Sequence, residues 1–260
     1  MKTVHSNGKR SKKKIEFTGA VAEDRIKPWD FPRPAPEVIE RYLNIDDLTS
    51  TVSDILDQMG IRGGIPGSVL QPVIPGKRIV GPATTARHGP ERKDVSRMVQ
   101  DKDPVRLGMR DVREVAMPGD VLVYDGGGRA DVSSGGSLAA LFSTTMGFAG
   151  TIFDCGVRDV DAIRRFDYPT WARGVTPITG KYRFETLEIN GPVVIAGVQV
   201  LPGDLILADT SGVVAVPCSH IETVLMSAEE ATAKEHELSR AIRNGASLEE
   251  LNQILSMEKW

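Results

Sequence analysis

A strand, a glycine- and serine-rich loop, a helix of small residues and a second apolar strand follow one another without interruption between Asp120 and Cys155. Few folds accommodate that succession. Asp120 to Asp125 (Asp-Val-Leu-Val-Tyr-Asp) reads as a buried strand. It feeds Gly126-Gly127-Gly128 and then Ser133-Ser134-Gly135-Gly136-Ser137. Leu138 to Met146 predicts a helix that stops at Gly147, and Thr151 to Cys155 predicts the next strand. A short helix over Asp161 to Phe166 follows. Strands that alternate with helices in this way define an α/β architecture.

The flanking sequence extends the pattern. A helix is predicted over Pro36 to Leu43. A second is capped by Ser50 or Thr51, with Val52, Ile55, Leu56 and Met59 on its apolar face. Val73-Ile74, Arg78 to Val80 and Pro82 to Ala86 read as strands. The charged stretch 88–103 reads as a loop, and a helix is expected from Asp103-Pro104 to Ala116. Asn190-Gly191 signals a hairpin. Pro202-Gly203-Asp204 repeats Pro118-Gly119-Asp120, and a strand follows each copy. Gly212 to Pro217 reads as a further strand. Residues 219–244 form a long helix, and Ser247 with Glu250 makes a capping box for a last one. Residues 1–35, with Lys9, Arg10, Lys12, Lys13 and Lys14 followed by several prolines, read as an arm. Residues 36–260 read as the domain.

Composition removes several function classes. Lys plus Arg is 32 and Asp plus Glu is 35, a net charge of −3, which argues against a global nucleic-acid binder. No apolar run approaches the ~20 residues of a membrane helix, and no apolar segment follows the basic start. Two cysteines, Cys155 and Cys218, make no disulfide framework and lack metal-ligand spacing. The expectation is a soluble, cytoplasmic protein. The basic arm reads as a solvated tail, with a nuclear address or an RNA contact as the alternatives.

Two places carry the residue types of a reaction site. The loop from Gly126 to Ser137 ends at a helix start, where free amides and the helix dipole favour an anion. It has neither Walker nor Rossmann spacing, and a plain strand-to-helix turn also uses glycines. Gly156-Val157-Arg158-Asp159 follows the next strand, and ligands of open α/β sheets lie beyond such strand ends. Arginine offers a fork for a carboxylate, and aspartate offers a hard oxygen to Mg²⁺ or Mn²⁺. An ordinary surface ion pair, or a helix cap by Asp159 or Asp161, fits the same residues. Cys155 reads as a small buried apolar residue and His88 as a surface loop histidine. Lys181 and Arg183 read as solvated loop residues. His220 and His236 lack ligand spacing.

A wider set of segments shifts that balance. Gly156-Val-Arg158-Asp159-Val-Asp161-Ala-Ile and Ala172-Arg173-Gly174-Val-Thr-Pro177 resemble the RraA-like family, as do Gly81-Pro82-Ala83, both Pro-Gly-Asp strand starts, Gly147-Phe-Ala-Gly150 and Ala208-Asp209 with Gly212-Val-Val. The family includes regulators of ribonuclease activity and class II 4-hydroxy-4-methyl-2-oxoglutarate aldolases. The resemblance implies one layered αββα-type α/β domain of the swivelling type, with an N-terminal arm and C-terminal helices. It also implies a homotrimer or hexamer with sites between subunits.

For the chemistry, the resemblance implies a lyase dependent on Mg²⁺, Mn²⁺ or another divalent metal, acting on a small 2-oxo acid through a pyruvate enolate. Arg158 would hold the substrate and Asp159 the metal. The backbone of Gly136-Ser137-Leu138-Ala139 would bind the keto-acid carboxylate. Glu235, or else Glu230, would reach a neighbouring subunit's site through water. Ser137 stands where the aldolases carry an acid, and Asp131 is a candidate replacement. Decarboxylation of oxaloacetate shares the enolate and needs no base to abstract a proton. Two other readings stand beside this one: a non-enzymatic regulator of a ribonuclease, and a lyase for a different acid with a reshaped Ser137 loop.

Overall fold

The computed structural model describes residues 17–28 and 31–254, so the basic cluster Lys9 to Lys14 lies outside the described residues. Helices α1 (Pro36–Leu43) and α2 (Leu48–Gln58) come first, then strands β1 (Gly64–Pro66), β2 (Gln71–Pro72) and β3 (Ile79–Pro90). Helices α3 (Val95–Gln100) and α4 (Met109–Val115) precede β4 (Val121–Gly135), α5 (Ser137–Thr145), β5 (Gly150–Val157), α6 (Val160–Arg165) and β6 (Thr170–Val175). Strands β7 (Phe184–Ile189), β8 (Val193–Ile195), β9 (Val198–Val200), β10 (Leu205–Ala208) and β11 (Gly212–Val216) follow. The chain then forms α7 (Ile221–Arg243) and α8 (Leu248–Ile254).

One strand organises the sheet. The start of β3 pairs antiparallel with β10, from Ile79 opposite Ala208 to Pro82 opposite Leu205. Its next residues pair parallel with β4, from Ala83 opposite Val121 to Arg87 opposite Asp125. Its end pairs antiparallel with β7. The main path runs β1-β11-β10-β3-β4-β5-β6-β2, antiparallel on one side of β3 and parallel from β3 to β6.

The two halves face each other across a buried layer. Alternate residues of a strand point to opposite faces. Ile206, Ala208, Val213 and Ala215 from the antiparallel half meet Val121, Val123, Ile152 and Trp171 from the parallel half. On the outer antiparallel face, Leu205, Leu207, Val214 and Val216 pack with Tyr42, Leu56, Val224 and Leu225 of α1, α2 and α7. On the outer parallel face, Leu122, Tyr124, Phe153 and Cys155 pack with Val112, Ala140 and Ile163 of α4, α5 and α6. The order of layers is helices, sheet, sheet, helices. Strands buried on both faces explain the unbroken apolar runs.

The repeated Pro-Gly-Asp tripeptide is one turn built twice. Gly119 has φ +85° and Gly203 φ +90°, the left-handed backbone that favours glycine after proline in a type II turn. Met117 N–H donates to Asp120 Oδ2 and Leu201 N–H to Asp204 Oδ2, each at 2.8 Å. The strands launched, β4 and β10, flank β3 on opposite sides. Asp120 is fully buried; it accepts from Thr84 Oγ1 at 2.8 Å and pairs with Arg33.

Several local expectations are corrected. Asn190 has φ +56°, yet β7 and β8 are not paired with each other. The hairpin joins β8 and β9 through Ala196 and Gly197, at φ +48° and +81°. The stretch 88–103 is no plain loop: β3 runs to Pro90 because β7 pairs with its end, and Asp94 caps α3 by accepting from Arg97 N–H at 2.9 Å. Helix α2 begins at Leu48, before Ser50 and Thr51, and α4 begins at Met109. The Gly126–Gly135 segment continues β4 with register shifts against β5. The capping box holds, with Ser247 N–H on Glu250 Oε2 at 2.7 Å and Glu250 N–H on Ser247 Oγ at 3.3 Å. Before α1, Thr18 donates from N and Oγ1 to buried Asp111, and Lys27 N–H donates to Ile189 O. The described residues contain no helix long and apolar enough to cross a membrane.

Asp120→Ala removes one partner of a buried ion pair and the acceptor of the Met117 amide and the Thr84 hydroxyl. The expected cost is about 3 kcal/mol of folding stability in a denaturant titration. A loss below about 1 kcal/mol would contradict a structural role for the turn.

Candidate active site

The site forms where β4 and β5 end side by side and hand the chain to α5 and α6. Register brings Gly135 opposite Val157, and Arg158 N–H donates to Gly135 O at 3.1 Å. Gly136 and Arg158 are therefore held together by the sheet, although 22 positions separate Ser137 from Asp159. A Cβ on Gly136 would lie 2.6 Å from Asp159 Oδ2 and 2.9 Å from Arg158 Cγ. The absent side chain is what lets the two segments close.

Asp159 occupies the position before α6 with φ +55° and ψ +38°, an unusual backbone for a residue with a side chain. It does not cap its own helix. Its carboxylate turns instead to the start of α5, where Oδ2 accepts from Ser137 N–H at 3.1 Å and Ser137 Oγ–H at 3.0 Å. Arg158 Nε lies 3.7 Å from the same oxygen. The Ser137 amide above all holds the Asp159 carboxyl below the usual carboxylate range; burial, next in weight, opposes it, and the Ser137 hydroxyl and then Arg158 add to the lowering.

Ser137 and Asp159 edge an open depression of about 800 Å³, and Arg158 stands beside Asp159 just outside its lining. Ser137 and Asp159 form one end, Asp161, Ala162, Arg164 and Arg165 of α6 one wall, and Val175, Thr176 and Pro177 the other. Sequence reasoning gave no role to Arg164, Arg165, Val175 or Thr176. The signal for Val175 and Thr176 was the segment from Ala172 to Pro177 that contains them, and Arg164 and Arg165 directly follow the segment that begins at Gly156.

The structure thus brings Gly136, Ser137, Arg158 and Asp159 together. Leu138 and Ala139 continue α5 at the same corner, and Leu138 is 81% exposed. Glu235 does not line the depression. It lies half-buried on α7, with burial foremost and then Asp47 and Asp54 raising its carboxyl above the usual range. Glu230 is exposed and paired with Lys234 at 2.6 Å. Asp131 is drawn to Arg129 at 2.6 Å and is absent from the lining.

His88 is a correction. It is 4% exposed, not a surface residue, and stacks with Tyr124 and Phe184 at centroid distances of 5.5 and 5.9 Å. Nδ1 lies 3.1 Å from Thr186 Oγ1, Nε2 has no protein partner, and burial pushes its pKa down to about 3. The extension of β3 carries it inside. Cys155 is fully buried as expected, its Sγ 3.1 Å from Ser134 Oγ, and burial pushes its thiol up to about 11. Arg183 donates to Thr179 O, Lys181 lies over the Tyr182 ring, His220 meets Ser219, and His236 pairs with Asp46.

The Aldolase/RraA family model, described as RraA-like, matches residues 49–215. The chain belongs to this family. A putative 4-hydroxy-4-methyl-2-oxoglutarate aldolase of Halalkalibacterium halodurans is 31% identical over 194 residues, covering 75% of this chain and 84% of the relative. Protein DlpA of Legionella pneumophila is 28% identical over 224 residues, 86% of this chain but 34% of its own length. The match thus spans about a third of DlpA. Among solved structures, Streptomyces coelicolor RraAS2, described as an unusual member of the RNase ES inhibitor RraA family, superposes with a TM-score of 0.68 at 29% identity. That match covers 81% of this chain and 99% of RraAS2.

Two outcomes follow from this geometry. In Gly136→Ala, Asp159 and Arg158 give way because they are exposed side chains. The thermal midpoint should stay within a few degrees, while a crystal structure of the variant should show the Asp159 carboxylate off the Ser137 amide. An unmoved carboxylate would contradict the close approach. The second concerns His88, whose folded pKa lies below its unfolded value of 6.5. Between these values the unfolded chain binds the proton and the native chain does not, so stability falls as pH drops from about 6.5 toward 3. His88→Leu should flatten stability against pH in that window; an unchanged curve would refute the assignment.

Proposed function

We propose that this chain is a divalent-metal-dependent lyase that cleaves a small 2-oxo acid through a pyruvate enolate. The reaction is retro-aldol cleavage of the 4-hydroxy-4-methyl-2-oxoglutarate type, oxaloacetate decarboxylation, or both. The observation that carries the reading is the convergence of Arg158 and Asp159 on the side-chain-free Gly136 at the amide end of α5. The name of the H. halodurans relative supports the same chemistry.

The donor set favours a hard cation. Among the described residues no group of three or more His, Cys, Asp or Glu could hold a metal. Asp159 offers one exposed carboxylate, with the Ser137 hydroxyl beside it and Asp161 on the same wall. Mg²⁺ and Mn²⁺ accept one or two carboxylates and keep their waters, whereas a structural zinc site needs four nitrogen or sulfur ligands. Asp159 would hold the ion, which when bound supplies positive charge against the charge that develops on the enolate.

The remaining work falls to this chain's own groups. The amides of Ser137, Leu138 and Ala139 at the start of α5 bind the keto-acid carboxylate. Arg158 orients it with its planar fork and adds charge where the enolate grows. Ser137 donates a hydrogen bond but is too weak a base to remove a proton at neutral pH. Loss of CO₂ requires no such base, so oxaloacetate is the substrate least affected by this serine.

The same reading makes the chain a homotrimer or a dimer of trimers. Val175, 69% exposed, lines the depression, and Leu138, 81% exposed, follows Ser137 on α5; a neighbouring subunit would cover them. Glu235 on α7 would reach that neighbour's site through water. A second reading, a non-enzymatic regulator of a ribonuclease, draws on the description of RraAS2 and on a Ser137 that lacks the aldolase acid.

Pyruvate release from oxaloacetate and from 4-hydroxy-4-methyl-2-oxoglutarate, with and without Mg²⁺ or Mn²⁺, decides between them. The lyase reading expects metal-dependent turnover that falls at least about 100-fold in Asp159→Ala. No turnover together with no metal binding would overturn it in favour of the regulator.

A further inference from the structure

Against the second half of α5 lies a buried cation that none of the roles above uses. Arg113 on α4 is 7% exposed. It makes no ion pair with a carboxylate among the described residues, although a buried charge is normally paired. Its contacts are with α5: Nε lies 3.3 Å from Ser143 Oγ, and the guanidinium sits 5.6 Å from the centre of the Phe142 ring.

The arginine also borders a small, partly open cavity of about 10 Å³, at the lower limit for a single water. The far side of that cavity is the backbone corner of the candidate site, Gly136 with Ala139 and Ala140. Ser143, Tyr168 and Thr151 supply its polar lining, and the Tyr168 and Thr151 hydroxyls lie 2.9 Å apart. Neutral hydroxyls solvate a guanidinium but do not neutralise it.

We infer that Arg113 is an electrostatic positioning residue for the carboxylate site: its charge, set behind α5, adds to the positive end of that helix and strengthens binding of an anionic ligand at the Ser137 amide. Ser143 lies six residues beyond Ser137, about 9 Å along the helix axis. Across such a distance inside a protein, one unit charge changes the affinity for another by about tenfold. Arg113 does not touch the ligand. It acts through the field it adds and through its hold on Ser143. The inference rests on the proposed 2-oxo acid site.

The experiment compares binding of pyruvate, an anion, with binding of pyruvamide, its neutral counterpart, by calorimetry in the presence of Mg²⁺. Arg113→Met, Arg113→Lys and the parent chain are measured at low salt. The expected result is a loss of about tenfold in pyruvate affinity for Arg113→Met, no change for pyruvamide, and recovery to within about threefold in Arg113→Lys. Equal losses for both ligands in a folded Arg113→Met would reduce Arg113 to a structural support. Unchanged pyruvate affinity would overturn the inference outright. A parent chain that binds neither pyruvate nor Mg²⁺ would instead overturn the proposed function, so the two failures are distinct. Should Arg113→Met fail to fold, Arg113→Gln carries the same comparison.

Discussion

The pairing of β3 with two different partners on its two sides holds this molecule together. From Ile79 to Pro82 the strand belongs to the antiparallel half; from Ala83 to Arg87 it belongs to the parallel half. The buried layer between the halves exists because one strand is common to both. The two Pro-Gly-Asp turns belong to the same constraint. Each starts a neighbour of β3, and each aspartate receives the amide that precedes its proline. The carboxyl ends of β4 and β5, where Arg158 and Asp159 meet Gly136, inherit their alignment from β3.

At that corner a glycine and an aspartate perform complementary tasks. Gly136 admits the second strand's loop, and Asp159 fills the space it leaves with a carboxylate. The left-handed backbone of Asp159 turns its side chain away from α6 and toward α5. A sequence pattern that reads as a cap on the following helix is here a bond to a different one. That is why the same residues fitted an ordinary helix cap and a ligand site equally well before the sheet register was known.

Much of the architecture was legible locally. The apolar run from Asp120 to Asp125 identified a buried strand, and Ser247 with Glu250 identified a helix start from four residues. The duplicated tripeptide carries its turn in its composition, because proline fixes its own φ and glycine admits the positive φ required next. The failures have a common cause. His88 was assigned to the surface because the residues after it are charged, while its burial comes from β7, almost a hundred positions away. Asn190-Gly191 has the chemistry of a hairpin, but β7 was already committed to β3. Arg113 lies on a short helix whose burial is set by α5. Local chemistry names a turn; only tertiary pairing says which side chains it hides. At the site, the residue types were legible and their partners were not: the bond from Asp159 to Ser137 spans two helices, and Glu235 lies away from the depression.

The carboxylate of Asp159 gives the Ser137 amide a built-in acceptor. An incoming carboxylate that seeks the Ser137 amide meets an acceptor already in place and tethered to the chain, at an effective concentration no dilute small anion can match. A simple monovalent anion would exchange one such bond for another and gain little. A molecule that offers several oxygens at once, to the amides, to Arg158 and to whatever Asp159 itself then holds, recovers the exchanged bond and adds others. In the proposed reaction the corner would therefore favour acids that chelate over simple anions, by the bond Asp159 already makes and not by size.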